Sequence, residues 1–315
     1  MIRQIVSTPE TLDLALETWY VQNVLLDGIP YSLNVRGGIR DSTVVYIELR
    51  ELKIDLIRQI KAGGNRVMLY HMGDEQGTCD ISAYAECDLV VRNYYFPRII
   101  DDPQYAGKVL WAPNGYRNGV GPRGSAAVRP ARERQCLAMF SGWISNEASY
   151  GNERALFAAA APKCGGDLYF RPSIGFGAGY TAGLYSSMME DSVFAPCPAG
   201  NSPETIRLYD ALEVGCIPVS LSHAFLASDQ ALASIGPVPF PLIGSWDELP
   251  AFLARMKTQM AEDPEAIFDM QDRCIDWWTS YKQHVRQKIM QRCAAPDAQK
   301  SEPASRSFLQ RLLQK

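Results

Sequence analysis

Gly200, Asn201, Ser202, Thr205, Arg207 and Asp210 crowd into one short run, residues 192–219, with the sequence SVFAPCPAGNSPETIRLYDALEVGCIPV. An apolar stretch, a Pro/Gly loop, an amphipathic stretch and a second apolar stretch follow one another, which predicts strand, loop, helix and strand. Ser202 stands where an N-cap belongs, and Pro203 at the first helical position, where its missing N–H costs nothing. Arg207 and Asp210 lie three apart on adjoining parts of one helix surface. Gly215 closes the helix, and Cys216–Ser220 reads as a buried strand. Helix N-terminal amides facing a Gly-rich loop bind anions, and a nearby arginine adds fixed positive charge. That chemistry suits a nucleotide diphosphate. The plainer alternative is an ordinary capped helix with an Arg207–Asp210 ion pair.

Upstream, Phe140-Ser141-Gly142-Trp143 ends an apolar run, and its small residues would let backbone amides approach a phosphate. Asn152 and Arg154 open the next amphipathic segment. Arg171 ends a further apolar run, followed by a loop containing Gly175, Gly177 and Gly179. In the first third of the chain, His71, Asp74 and Glu75 follow the apolar run 66–71 and are expected to project from a strand end. A carboxylate partly buried there would have its pKa raised and could serve as a base. Structural readings compete: a hydrogen-bonded histidine and a helix-capping Asp-Glu turn.

The elements that must position these residues alternate. Val44–Glu48, Arg66–His71, Asp88–Arg92 and Lys108–Ala112 read as strands, with helices over Leu49–Ala62 and Cys79–Glu86 between them. Residues 117–134, rich in Gly, Pro, Arg and Ala, read as a linker. A second set follows: strands at Gln135–Ser141, Asp167–Arg171, Val193–Pro196 and Val238–Phe240, with helices over Gly151–Ala161, Thr181–Glu190, Trp246–Gln259 and Pro264–Lys282. Such alternation predicts parallel sheets covered by helices. Two Rossmann-like halves would enclose a cleft at their strand carboxyl ends.

The chain has 315 residues, enough for two domains, with a net charge of −4. That balance supports neither a nucleic-acid partner nor a polybasic membrane anchor. Eight cysteines without a C-x-x-C pair, beside three histidines, read as buried thiols of a reducing compartment rather than a zinc site. No signal-like or membrane-spanning run stands out, so the expected location is cytoplasmic, with peripheral attachment at a membrane as the alternative. A homodimer is left open.

Phe194, Pro198, Gly200, Ser202, Arg207, Leu208, Asp210, Ala211, Leu212, Gly215, Cys216, Ile217, Pro218 and Val219 together resemble the C-terminal signature of exostosin-like glycosyltransferases. The family usually carries Glu where this chain has Asp210. His71-Met72-Gly73-Asp74-Glu75 and Arg92-Asn93-Tyr94-Tyr95 resemble elements of the branch that includes ribitol-phosphate xylosyltransferases. The resemblance implies the GT-B fold: an acceptor domain over residues 1–128, a nucleotide-sugar domain over 129–284 and a tail over 285–315 crossing back to the first domain. It implies a UDP-sugar donor and a glycan or polyol-phosphate acceptor, with no cofactor. With no Asp-x-Asp dyad in the sequence, metal-independent transfer is expected, arginines and a helix dipole replacing the cation.

On this reading Ser141, Gly142, Arg154, Arg171, Gly200, Asn201, Ser202, Thr205 and Arg207 meet the donor, and Asp210 accepts hydrogen bonds from ribose hydroxyls. Asp74 or Glu75, with His71 next, takes the acceptor proton. The alternatives are a nucleotide-sugar binder without catalysis and a retaining transferase.

Overall fold

The computed structural model describes residues 1–33, 38–49, 51–105, 107–144, 149–175 and 179–294. Calls on Gly177 and on the tail beyond Ala294 lie outside the described residues.

The first sheet comprises β1 (Ile2–Ser7), β2 (Tyr31–Ser32), β3 (Thr43–Glu48), β4 (Arg66–His71), β5 (Leu89–Arg92) and β6 (Val109–Trp111), in spatial order β2-β1-β3-β4-β5-β6. Every neighbouring pair is parallel. Helices α1 (Pro9–Leu14), α2 (Thr18–Tyr20), α3 (Ile54–Ala62) and α4 (Pro97–Ile100) lie in its crossovers. Strand alternation sorts the side chains: Val44 and Tyr46 pack with Ile57 and Ile60 of α3, whereas Val45 and Ile47 join a larger core on the opposite face.

The second sheet comprises β7 (Cys136–Trp143), β8 (Tyr169–Ser173), β9 (Ser192–Pro196), β10 (Ile217–Leu221) and β11 (Leu242–Ile243), in order β11-β10-β9-β7-β8 and again all parallel. Its helices are α5 (Glu153–Ala160), α6 (Ala182–Glu190), α7 (Ile206–Glu213), α8 (Ala224–Ala227) and α9 (Leu249–Glu262). Helix α10 (Glu265–Ala294) follows; at 30 residues it is about 45 Å long.

Both sheets therefore share one winding rule. The second strand lies outside the first, and the third lies on the first strand's other side. The winding reverses between β1 and β3 in one sheet and between β7 and β9 in the other. At such a switch point the connections leave toward opposite faces and open a crevice at the strand carboxyl ends.

Helix α10 ties the halves together. Trp278 stacks on Tyr20 at 6.0 Å between centroids, tilts against Tyr209 at 5.7 Å, and donates from Nε1 to Glu213 at 2.7 Å. Farther along, Arg286 donates to the carbonyls of Val24 and Asp27. Residues of both sheets and of α10 consequently share one core.

The strand expectations from Val44 to Val219 match the observed strands within two residues at each end, and four departures stand out. Strand β1 was not anticipated, because Arg3 and Gln4 interrupt its apolar pattern; Gln4 is nevertheless buried. Helix α3 begins at Ile54 rather than Leu49; Leu49, Glu51 and Lys53 line the crevice instead. The expected strand over Val238–Phe240 is instead the two-residue β11 at Leu242–Ile243. The last helix runs twelve residues past Lys282.

Candidate functional site between the two sheets

The two switch points face each other across a cavity of about 670 Å³. Its first wall comes from the segment after β1, the β3–α3 connection, and the residues following β4 and β5; Glu17, Glu48, Glu75 and Tyr94 stand on it. The second wall comes from Trp143 at the end of β7, Arg154 of α5 and the loop 200–206 after β9. Ligands of open parallel sheets bind in this position.

Arg154 lines the second wall, and Arg207 lies buried beside it. Arg207, 6% exposed, donates from Nη1 to the Ser141 carbonyl at 2.8 Å and to Tyr185 Oη at 2.9 Å. Its guanidinium lies 4.1 Å from the centroid of the Phe140 ring. Arg154 donates from Nε to the Ala199 carbonyl at 3.0 Å and from Nη1 to the Trp143 carbonyl. Among the described residues neither forms an ion pair with a carboxylate, and burial followed by repulsion from Arg207 pushes Arg154 down to about 10. Two neighbouring guanidinium groups hydrogen-bonded to carbonyls and a hydroxyl would attract an anion to this wall.

Both expected glycines make room for these side chains. A Cβ at Gly142 would collide with Arg207 Nη2, and one at Gly200 would stand 3.2 Å from Arg154 Nη2. The sequence reading found these glycines through their loops; their direct fit to guanidinium groups is a tertiary fact.

The helix start differs from expectation. Helix α7 begins at Ile206 with Thr205 as its N-cap residue, three residues later than Ser202 and Pro203 suggested. Ser202 Oγ instead accepts from Glu204 N at 3.1 Å, a local turn that competes with helix. The delay frees Glu204 to turn inward. It accepts from Trp111 Nε1 at 3.1 Å, Asn114 N at 2.9 Å and Tyr209 Oη at 2.9 Å, and burial pushes it up to about 7. Ser202 and Thr205 line the cavity, and Asn201 reaches across it, donating from Nδ2 to Glu75 Oε2 at 2.6 Å.

Asp210 is placed otherwise than a free ribose acceptor would be. It is 0% exposed, and its oxygens accept from Arg117 N at 2.8 Å and Arg117 Nη2 at 3.0 Å. The Arg207–Asp210 alternative is not formed either; the cation comes from the connecting segment. Arg171 stays away from the cavity: it is exposed on the edge strand β8, its guanidinium 4.4 Å from the centroid of the Tyr180 ring.

Of the three residues expected to supply a base, the fold brings only Glu75 to the cavity. His71, 1% exposed, meets Tyr84 Oη through Nδ1 at 2.6 Å; burial, then repulsion by Arg92, pushes it down to about 4. Asp74 pairs with Arg92 at 3.1 Å and accepts from the amides of Thr78 and Cys79. Burial alone would raise Asp74, but the Cys79 amide and Arg92 hold it below the usual carboxylate range. The reason is geometric: the last residue of β4 points back into the helix-covered face, and the turn at Gly73 carries Asp74 with it. Glu75 Oε1 accepts from Tyr94 Oη at 3.2 Å.

Sequence reasoning missed Glu17. It lies 8% exposed on the first wall, and burial, with the charges of Glu75 and Asp210 adding to it, pushes it up to about 8. It is the N-cap residue of α2, in the connection between α1 and α2, and no local pattern marks that turn as facing the cavity.

Residues 121–235 match the Exostosin GT47 domain. Human ribitol-5-phosphate xylosyltransferase 1 is 29% identical over 118 residues, covering 33% of this chain and 25% of that protein. The zebrafish (Danio rerio) protein of the same name is 23% identical over 117 residues, covering 35% and 26%. The match thus spans about a quarter of those relatives. Among solved structures, the catalytic domain of Arabidopsis thaliana starch synthase IV is similar with a TM-score of 0.45 at 10% identity, covering 82% of this chain and 74% of that one. The glycotransferase of kitacinnamycin gives a TM-score of 0.43 at 11% identity, covering 92% and 98%. Two parallel-sheet domains around a cleft make this a GT-B molecule. The matched segment is also the part that carries Arg154, Arg207 and α7, so the likeness to the Exostosin GT47 domain falls on the second wall of the cavity.

Proposed function

We propose that the protein transfers a sugar from a UDP-sugar to a hydroxyl of a glycan or polyol-phosphate acceptor, with inversion, in a single displacement. The observation that carries this reading is the pair of facing switch points across one cavity, with Arg154 and loop 200–206 on one side and Glu17, Glu48 and Glu75 on the other. The diphosphate would lie against Arg154, the amides of loop 200–206 and the start of α7, with Arg207 behind them. As the anomeric C–O bond breaks, charge grows on the leaving diphosphate, and fixed cations and amides there stabilise the transition state more than the ground state. The acceptor would enter along the first wall, from which a carboxylate takes its proton.

Metal independence belongs to the same proposal: the guanidinium groups would do the work of a cation. Asp210 would act at a distance, holding Arg117 and the connecting segment behind the donor loop, rather than touching ribose. Location is part of the proposal only in that no helix among the described residues is long and apolar enough to cross a membrane.

Thermal shift with UDP, GDP and CMP sugars tests the donor, since a bound ligand stabilises by mass action. Selective stabilisation by UDP-sugars supports the reading, and indifference to all three removes it. The anomeric configuration of the product decides inversion, and turnover in excess EDTA decides metal independence.

A further inference from the structure

We infer that Glu17 is the general base of the proposed transfer, an assignment that rests on the reading above and sharpens it.

Four observations converge. Glu17 is the N-cap residue of α2, in the connection between β1 and β2, and it lines the crevice at the first switch point. It stands opposite loop 200–206, where the donor diphosphate would sit. It is more than nine-tenths buried yet borders the cavity. Finally, three other carboxylates of the cavity are held by neighbouring side chains. Glu48 accepts from Thr11 and Tyr46, Glu75 from Tyr94 and Asn201, and Glu204 from Trp111 and Tyr209. Among the described residues no side chain donates to Glu17 and no cation pairs with it.

A buried carboxylate without a cation costs stability. The fold carries that cost at the one point from which an acceptor hydroxyl could be met. In the step, the acceptor O–H proton passes to a Glu17 oxygen while the hydroxyl oxygen forms its bond to the anomeric carbon. The bond from that carbon to the phosphate oxygen breaks with its electron pair, which leaves on the nucleoside diphosphate. Glu17 returns its proton to water after product release. Glu75, held from both walls, positions the two sides.

The test compares wild type, Glu17→Gln and Glu75→Gln with a UDP-sugar and an acceptor that the wild type uses. The groups facing Glu17 that also titrate or carry charge are Glu75, Asp210, Tyr70 and Tyr94. Glu17→Gln is expected to lower kcat by at least about 100-fold, to leave UDP-sugar affinity within a factor of about two by titration calorimetry, and to abolish the acid limb of the kcat–pH profile. Glu17→Ala is expected to regain turnover with added formate or azide. Retention by Glu17→Gln of more than about a tenth of kcat, or survival of the acid limb, overturns the assignment while leaving the transfer itself standing. A wild type that binds no UDP-sugar overturns the underlying reading instead.

Discussion

Gly142 and Arg207 are fitted to each other: the space a Cβ would take at position 142 is filled by Nη2 of the arginine. The same guanidinium is pinned by the Ser141 carbonyl, Tyr185 Oη and the Phe140 ring. Gly142→Ala is therefore expected to push the guanidinium out of place and raise the donor KM by roughly tenfold or more, as loss of a charged contact would. Arg207→Ala should do the same, and the double variant should be no worse than the poorer single one, because both remove one interaction. Steady-state kinetics on the three variants checks this.

Asp210 and Arg117 make a largely buried ion pair at 3.0 Å. Arg117→Ala strands a carboxylate with no exposure, and unfolding in urea should show a loss of about 3–5 kcal/mol. The variant Asp210→Asn leaves the amide of Arg117 with an acceptor and should lose less.

The pH dependence of stability separates two buried groups. Glu17 rises from 4.5 to about 8 on folding, so the folded state holds more protons between those values and stability falls as pH rises through that window. His71 falls from 6.5 to about 4, so it acts oppositely: stability is lost as pH drops from 6.5 toward 4. Glu17→Gln should thus gain on wild type steadily from pH 5 to pH 8, read from thermal midpoints in matched buffers.

Trp278 contacts Tyr20 of the first half and Tyr209 and Glu213 of the second. Trp278→Ala is expected to cost about 3–5 kcal/mol as a buried aromatic cavity. It should also leave Glu213 with fewer donors, although Lys282 Nζ still stands 2.8 Å away. Chemical denaturation followed by the remaining tryptophans measures the loss.

Much of the scaffold was legible because parallel strands buried on both faces read as continuous apolar runs, as in Val44–Ile47 and Val193–Ala195. Strand β1 was not, since a buried Gln4 breaks that pattern. The loop at the second wall of the cavity was legible through Gly200 and the nearby Arg207, local features that survive in a one-dimensional reading. What His71 and Asp74 touch was not: whether a residue just past a strand faces a crevice or the covering helices depends on Arg92 and Tyr84, partners 13 to 21 residues away in sequence. Asp210 failed for a similar reason, its cation arriving from position 117.

The connecting segment has one further consequence. Trp111 and Asn114 bind Glu204, Arg117 binds Asp210, and the Arg123 amide binds Glu213 at 2.6 Å. All three acids belong to α7 or the turn before it, yet Trp111, Asn114 and Arg117 precede residue 121, where the Exostosin GT47 match begins. A fragment cut at that point, or a chimera that grafts this half onto another acceptor half, would bury Glu204 and Asp210 without these donors. The second half is thus not a portable module; helix α7 is finished by residues that lie before the matched segment.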